Sequence, residues 1–307
     1  MKSNEKIRKW FFPISLIIIL AVLTAAVIPD GYVYGSNTDW LSQHVTLAES
    51  IRTACLEQHT LLPAWIGLGG GSNGYQFSYY GFLRPDIITG CLLPHIPMAV
   101  IIISYMQLLY AASVLLCFLW LRVEKLPPAS AWLGAMLFMT AGCMFHMHRQ
   151  IMFVNYLPFL LLAFLCVAKQ KFKLLPLCLL LICLHSFYFA ISASTGVGWY
   201  WYQKEGSLFL KKSLGRYAAS VLLASGMAGA LLLPTGLALL EHRSGGSTPS
   251  PLALFGPNVS MNNLLFNEYG MGLSMICFYA ILIGLQYRRL RRDSILFLLF
   301  WLFGIFS

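Results

Sequence analysis

The longest stretch without Asp, Glu, Lys or Arg covers residues 87–121 and reads IITGCLLPHIPMAVIIISYMQLLYAASVLLCFLWL; it lies between Asp86 and Arg122. A membrane-spanning α-helix needs about 20 consecutive, mostly apolar residues. The part from Met98 to Leu121 reaches that length without a charged side chain. This stretch therefore predicts a transmembrane helix.

The composition of the whole chain agrees with that prediction. Of the 307 residues, 58% are hydrophobic and 10% are charged, and the mean hydropathy is +0.71. A soluble domain carries about 25% charged residues, so an ordinary soluble enzyme is excluded, as are a disordered chain and a disulfide-dense secreted scaffold. The net charge of +10 indicates cytoplasmic loops rich in Lys and Arg rather than a nucleic-acid partner.

Further uncharged runs predict an all-α, polytopic membrane protein with one transmembrane domain, residues 1–307, and about nine spans. The runs are 10–29, 87–121, 126–148, 150–168, 174–203, 217–240, 269–287 and 294–307. The last span is incomplete at Ser307, so a C-terminal region is expected to be missing. The first run is interpreted as a retained helix with a cytoplasmic N-terminus, and a cleaved signal peptide is the alternative.

Residues 174–203 decide the topology, because they form either one tilted helix or two short segments that enter and return. A single helix would place Lys204 and the following basic residues outside, against the positive-inside rule. We therefore expect two segments, with the break in the polar stretch Ser192–Gly196. All but four basic residues are then cytoplasmic, and the four outside are Arg52, Arg84, Arg149 and Arg243. The long outer loops are 30–95 and 238–270.

The first outer loop carries the leading candidate for chemistry, Asp39. It precedes an amphipathic helix in which apolar residues recur every three or four positions, and such a helix is typical of a membrane interface. The apolar positions are Leu41, Val45, Ala48, Ile51 and Cys55. Gln43 shares a helix face with Asp39, and His44 adjoins it. A carboxylate that merely caps the helix N-terminus is the structural alternative.

A glycine-rich stretch, Gly67–Gly74, and several aromatic residues follow in the same loop. Aromatic side chains at a membrane surface usually form an interfacial belt, and beside polar groups they also stack on sugar rings. Arg84 and Asp86 close the loop, and pairing with each other is their simplest role. A Cys55–Cys91 disulfide is one option for the outer cysteines.

The remaining outer polar candidates are His146 and Arg149 after the third span, Arg243 in the second long loop, and Glu268 before the next span. The pair His146 and His148 is a weak metal signal, because residues two apart do not share a helix face. His185, within an apolar run, is expected to make a local hydrogen bond.

In order along the chain, these features resemble the YfhO family of bacterial membrane proteins. The matching residues are Tyr34–Gln43, Gly67–Asn73, Tyr79-Tyr80, Pro85, His146, Asn155–Pro158, Phe187–Phe189, Leu233-Pro234 and Arg243. The resemblance covers nearly the whole chain. It implies a glycosyltransferase of the GT-C class, a helical bundle in the bacterial plasma membrane. Family members are commonly longer and carry a further outer C-terminal domain.

The resemblance also implies a reaction and a site. A polyprenyl-phosphate-linked sugar would be the donor, and a cell-envelope polymer such as teichoic acid would be the acceptor, on the outer face. The acidic residue of the first outer loop, here Asp39, would be the catalytic group. It would deprotonate the acceptor or hold a divalent ion, Mg²⁺ or Mn²⁺. Membrane lipids would be the other partners.

The other outer candidates take supporting roles in this hypothesis. Arg84, Arg149 and Arg243 would bind the donor phosphate. Asp86 or Glu268 would be a second carboxylate, and Gln43, His44 and His146 would complete substrate binding. Two rival functions stay open, a transporter or flippase of lipid-linked sugars and a non-catalytic, shortened family member. A transporter predicts ionisable residues within the spans, which carry almost none apart from His185.

Overall fold

The computed structural model describes residues 2–28, 34–36, 39–144, 150–151, 154–242, 275–288 and 290–302. The chain divides into two compact units. The larger unit is described over parts of 2–140 and 150–242, and the smaller over 141–144, 275–288 and 290–302. Both are mostly helical, as predicted.

The larger unit contains ten α-helices among its described residues, joined by short π- and 3₁₀-helices and one two-stranded sheet. In chain order, these elements are α1 (Lys2–Val27), a π-helix (Trp40–Val45), α2 (Thr46–Glu57), β1 (Trp65–Ile66), β2 (Ser72–Asn73), a 3₁₀-helix (Gly74–Tyr80), α3 (Pro85–Leu92), α4 (Met98–Val123), α5 (Pro128–Met139), α6 (Leu157–Ala168), a 3₁₀-helix (Phe172–Leu174), α7 (Leu175–His185), α8 (Phe187–Glu205), a π-helix (Phe209–Ser213), α9 (Leu214–Met227) and α10 (Gly229–His242). The smaller unit contributes α11 (Met275–Gln286) and α12 (Arg291–Leu302).

One helix of the described chain, α4, is both long and apolar enough to cross a membrane. Its 26 residues span about 39 Å. A second span results if the segments Phe209–Met227 and Gly229–Ala238, bent by 69° at their junction, count as one. By contrast, α5 and α6 have 12 residues each, about 18 Å, roughly half of what a bilayer requires. The expected number of about nine spans therefore stays a prediction.

The predicted break in 174–203 is confirmed, but its position was wrong. The chain breaks at Ser186, whose φ of −158° and ψ of 88° are not helical, between α7 and α8. The stretch Ser192–Gly196 lies inside α8. Its polar side chains are compatible with a helix, since the Thr195 hydroxyl donates to the Ile191 carbonyl, 2.9 Å away, and is satisfied within the helix.

The C-terminal end of α4 meets the C-terminal end of α8. Lys204 forms an ion pair with Glu124 at 2.5 Å, and the Tyr200 hydroxyl donates to the same carboxylate. Phe172, in the loop between α6 and α7, stacks on Trp201 with ring centroids 4.3 Å apart. Three loops that the topology prediction places on one side of the membrane therefore share one end of the larger unit.

At the N-terminus, α1 packs against α4 and α5. Leu16 and Leu20 are buried there, and the Trp132 indole donates to the Ser15 hydroxyl at 3.0 Å. This packing favours a retained helix over a cleaved signal peptide, because α1 contributes buried side chains and an interhelical hydrogen bond to this part of the core.

The predicted amphipathic helix is present, with one departure in its buried face. Ala48, Ile51 and Cys55 of α2 are buried, whereas Leu41 is 60% exposed. Leu41 lies in the preceding π-helix, whose wider turn breaks the 3.6-residue period. Trp40 occupies the buried side there instead.

Candidate functional site

Close packing around Trp40, at the start of the π-helix, holds Asp39 in position. The Trp40 ring packs so closely on Gly35 that a Cβ there would lie 2.3 Å from a ring carbon. Gly35 also has a φ of +140°, a conformation that L side chains rarely adopt. The Tyr34 ring meets Trp40 edge-on at 5.5 Å. Because Trp40 is buried, the residue before it is held at the edge of this packing.

The Asp39 carboxylate accepts hydrogen bonds from two side-chain amides. Gln43 Nε2 donates to Oδ1 at 2.7 Å, and Gln150 Nε2 donates to Oδ2 at 2.7 Å. The predicted shared face of Asp39 and Gln43 is therefore confirmed. Asp39 occupies the N-cap position, but its side chain makes no capping hydrogen bond, so the capping interpretation was wrong. Both donors are neutral, which orients the carboxylate without pairing its charge.

Gln43 also connects the Asp39 carboxylate to an aromatic residue, Tyr80. Its Oε1 accepts a hydrogen bond from the hydroxyl of Tyr80. The Tyr80 ring lies 5.6 Å from the ring of His44, which in turn lies 6.3 Å from the Trp40 ring. The π-helix Trp40–Val45 and the 3₁₀-helix Gly74–Tyr80 thus meet beside Asp39.

His44 is buried, with 1% of its surface exposed. Burial, and next the nearby Arg84 charge, lower its pKa from 6.5 to about 4, although Asp39 acts in the opposite direction. The imidazole is therefore neutral at physiological pH. Its Nε2 atom has no hydrogen-bond partner within the part of the chain that the structure describes.

Arg84 and Asp86 form a fully buried ion pair. Nε donates to Oδ1 at 2.6 Å and Nη2 to Oδ2 at 2.7 Å, and the two side chains are 1% and 0% exposed. The pairing interpretation is confirmed. Nη1 of Arg84 has no partner among the described residues. Two of the three guanidinium nitrogens are thus committed to Asp86.

A second histidine lies within electrostatic reach of that ion pair. His185 donates from Nδ1 to the Leu181 carbonyl at 2.7 Å, as the predicted local hydrogen bond requires. Its Nε2 accepts from the hydroxyl of Tyr105 at 2.5 Å. Tyr105 belongs to α4, so this contact joins the candidate span to the end of α7.

Four predicted site residues, His146, Arg149, Arg243 and Glu268, lie outside the described residues. Whether they approach Asp39 stays a prediction. For the cysteine pair, Cys55 and Cys91 are both free thiols in the structure.

The predicted divalent ion does not fit the site as described. No three His, Cys, Asp or Glu side chains come together within the described ranges. Both Asp39 oxygens face amide N–H groups, and Asp86 is occupied by Arg84. A hard cation requires several oxygen ligands.

Sequence reasoning missed Gln150 and the role of Tyr80. Gln150 is 111 residues from Asp39, so no local spacing indicates the contact. Its only sequence signal is position, since it follows Arg149 at the end of an uncharged run predicted to reach the outer side.

No protein-family model, curated protein or solved structure matches this chain. The chemistry of the site must therefore carry the functional argument. The Asp39 carboxylate is half-buried and has no cation on it in the described structure. Amides from two segments that are far apart in the chain hold it in place. Such a carboxylate is suited to accept a proton from a hydroxyl group.

Proposed function

We propose that this chain is a polytopic membrane glycosyltransferase of the bacterial plasma membrane, with a cytoplasmic N-terminus. The apolar composition, the long helix α4 and the segregation of basic residues support the membrane location. The contacts of Glu124 with Lys204 and of Phe172 with Trp201 support it further, since they group loops that the positive-inside rule assigns to one side.

The observation that carries the proposal is the Asp39 carboxylate between Gln43 and Gln150. In the proposed step, an acceptor hydroxyl oxygen attacks the anomeric carbon of a polyprenyl-phosphate-linked sugar. A new glycosidic C–O bond forms, the C–O bond to the phosphate breaks, and polyprenyl phosphate leaves with the electron pair. The hydroxyl proton passes to Asp39. The two amides hold the carboxylate in the orientation that this transfer requires.

The described site has too little positive charge to bind the donor phosphate by itself. The Arg84–Asp86 pair is neutral overall, His44 is neutral, and Asp39 carries the formal negative charge. Arg84 Nη1 offers one unpaired NH₂ group. Arg149 and Arg243 are therefore assigned to the phosphate in this proposal, with Glu268 and His146 in supporting roles.

The test is sugar transfer in membranes that contain the full chain. Labelled polyprenyl-phosphate sugars are supplied to wild type, to Asp39→Asn, and to Glu57→Gln as the control, because Glu57 is an exposed carboxylate of α2. We expect transfer by wild type and by Glu57→Gln, with Asp39→Asn reduced at least 100-fold, within the range that general acid–base catalysis supplies. Equal transfer by Asp39→Asn would remove Asp39 from the mechanism. Absence of transfer from every donor with wild type would refute the proposed function and favour a non-catalytic family member.

One observation supports a transporter of lipid-linked sugars as the second candidate. Arg84, Asp86 and His185 are buried, and the hydroxyl of the half-buried Tyr105 of α4 donates to His185. Buried ionisable groups at membrane depth commonly line a translocation path. Movement of a labelled lipid-linked sugar across proteoliposomes, blocked by His185→Phe and without chemical transfer, would favour this candidate.

A further inference from the structure

Four aromatic rings form a cluster beside the candidate site, and we call it the aromatic cluster: Tyr79, Tyr80, Phe187 and Tyr188. The rings of Tyr79 and Tyr80 lie 4.2 Å apart. Tyr79 also meets Phe187 at 6.5 Å and Tyr188 at 6.4 Å, both edge-on. The break at Ser186 starts α8 here and brings the last two rings against the 3₁₀-helix Gly74–Tyr80.

The aromatic cluster is directly continuous with the polar groups at Asp39. The Tyr80 hydroxyl donates to Gln43, and Gln43 donates to Asp39. The ring of Tyr80 also lies 5.6 Å from the ring of His44, which is 1% exposed and whose Nε2 has no partner in the described structure.

The aromatic cluster is apolar and the side chains around Asp39 are polar, and a sugar ring has the same two kinds of surface. A pyranose presents C–H groups on its face, which pack on aromatic rings, and hydroxyl groups at its rim, which bond to carboxylates, amides and imidazoles. Tyr188 is 55% exposed, so its ring is accessible to such a face. The described polar groups carry no net positive charge, which favours a neutral ligand over a phosphate.

We propose that the aromatic cluster and the Asp39 group together bind a neutral sugar ring, with Tyr188 and Tyr79 against its apolar face and the hydrogen-bonded side chains of Tyr80, Gln43 and Asp39 at its hydroxyl rim. That this ring is the acceptor of glycosyl transfer rests on the proposed function. The assignment separates two subsites: a neutral acceptor subsite at the aromatic cluster and a phosphate-binding subsite supplied by other residues.

The test measures binding without any donor. Full-length protein in nanodiscs is mixed with methyl β-D-glucopyranoside or N-acetyl-D-glucosamine, and saturation-transfer difference NMR reports which ligand protons contact protein. The comparison ligand is sn-glycerol 3-phosphate, which is anionic and has no ring. The variants are Tyr188→Ala, Tyr188→Phe and the control Tyr287→Ala, since Tyr287 is 61% exposed and lies in the smaller unit.

We expect saturation of the ring C–H protons with wild type, Tyr188→Phe and Tyr287→Ala. For Tyr188→Ala we expect a Kd about tenfold higher, which is the size of one lost aromatic contact. In the transfer assay, the same variant should raise KM for the acceptor about tenfold and leave KM for the donor unchanged. Unchanged thermal unfolding of Tyr188→Ala would confirm that the fold is retained.

Two results would overturn the inference: equal sugar binding by Tyr188→Ala, or saturation of glycerol phosphate as strong as that of the sugars. In either case, Tyr188 is part of an interfacial aromatic belt. Sugar binding with no transfer by wild type would refute the proposed function and leave the sugar site standing. Transfer with no saturation of any ring would refute the sugar site alone.

Discussion

The buried Arg84–Asp86 ion pair allows a quantitative test of the fold around the candidate site. Asp86→Asn removes the negative charge and leaves the Arg84 guanidinium, 1% exposed, without a counterion. Leaving one charge of a buried pair uncompensated costs about 3–5 kcal/mol. For 307 residues, about 1.5 °C of Tm is lost per kcal/mol, so Tm should fall by about 5–8 °C.

The control is the same substitution at an exposed ion pair. Arg292 and Asp293 approach to 3.5 Å, with side chains 67% and 32% exposed. Exposed pairs contribute about 0–1 kcal/mol, so Asp293→Asn should change Tm by less than about 2 °C. The double variant Arg84→Met/Asp86→Leu should regain much of the stability that Asp86→Asn loses, because it removes both charges together.

Thermal unfolding in detergent can be followed with a thiol-reactive fluorophore, since several free cysteines, including Cys166 and Cys178, become accessible only on unfolding. A Tm of Asp86→Asn no lower than that of Asp293→Asn would refute the buried pair. The double variant also separates structure from function. Retained sugar transfer is expected, because the donor phosphate is assigned to Arg149 and Arg243, and a stable but inactive double variant would contradict that assignment.

Three further predictions concern single positions. Gln150→Leu removes one of the two amides on Asp39 and should lower kcat about 10–100-fold with KM nearly unchanged, since a hydrogen bond to a charged group contributes about 1.5–3 kcal/mol; a larger effect on KM would contradict a positioning role. The pKa of His44 is lowered in the folded state from 6.5 to about 4, so the unfolded state binds the proton first and stability falls as pH drops through this range. Between pH 7 and pH 5, wild type should lose about 2 kcal/mol more than His44→Gln, and equal Tm losses would contradict the burial of this ring. Glu124→Gln removes the carboxylate that pairs with Lys204, and since both groups are partly exposed it should cost about 1 kcal/mol, measured as a Tm shift of about 1.5 °C; an unchanged Tm would indicate that the ends of α4 and α8 do not meet.

Local spacing in the sequence was sufficient to predict two of the pairings at the site. Asp39 and Gln43 are four residues apart, and one helical turn brought them together as expected. Arg84 and Asp86 flank Pro85, where an extended residue precedes a helix start, and they pair as expected. Each of these contacts depends on only a few neighbouring backbone angles.

Contacts between distant segments could not be obtained in this way. Gln150 reaches Asp39 across 111 residues, and only the packing of the helices determines that approach. The π-helix Trp40–Val45 also changed which side chains are buried, because the predicted face assumed a 3.6-residue period. A single wide turn therefore exposed Leu41 and buried His44.

Uncharged runs locate apolar segments but not the turns inside them. The run 126–148 contains a helix that ends at Met139, and the run 174–203 breaks at Ser186 rather than at its most polar stretch. Absence of charge shows only that a segment can be buried in an apolar environment. Helix length depends on where backbone hydrogen bonding stops, and hydropathy does not report that point.

The central claim is that Asp39 accepts a proton from a sugar acceptor during transfer from a lipid-linked donor. Its most direct test is the release of polyprenyl phosphate from a defined polyprenyl-phosphate sugar by purified full-length protein in proteoliposomes, with and without acceptor. We predict acceptor-dependent release by wild type and none above background by Asp39→Asn of equal Tm. Release that is independent of acceptor, or equal in the two proteins, would contradict the account.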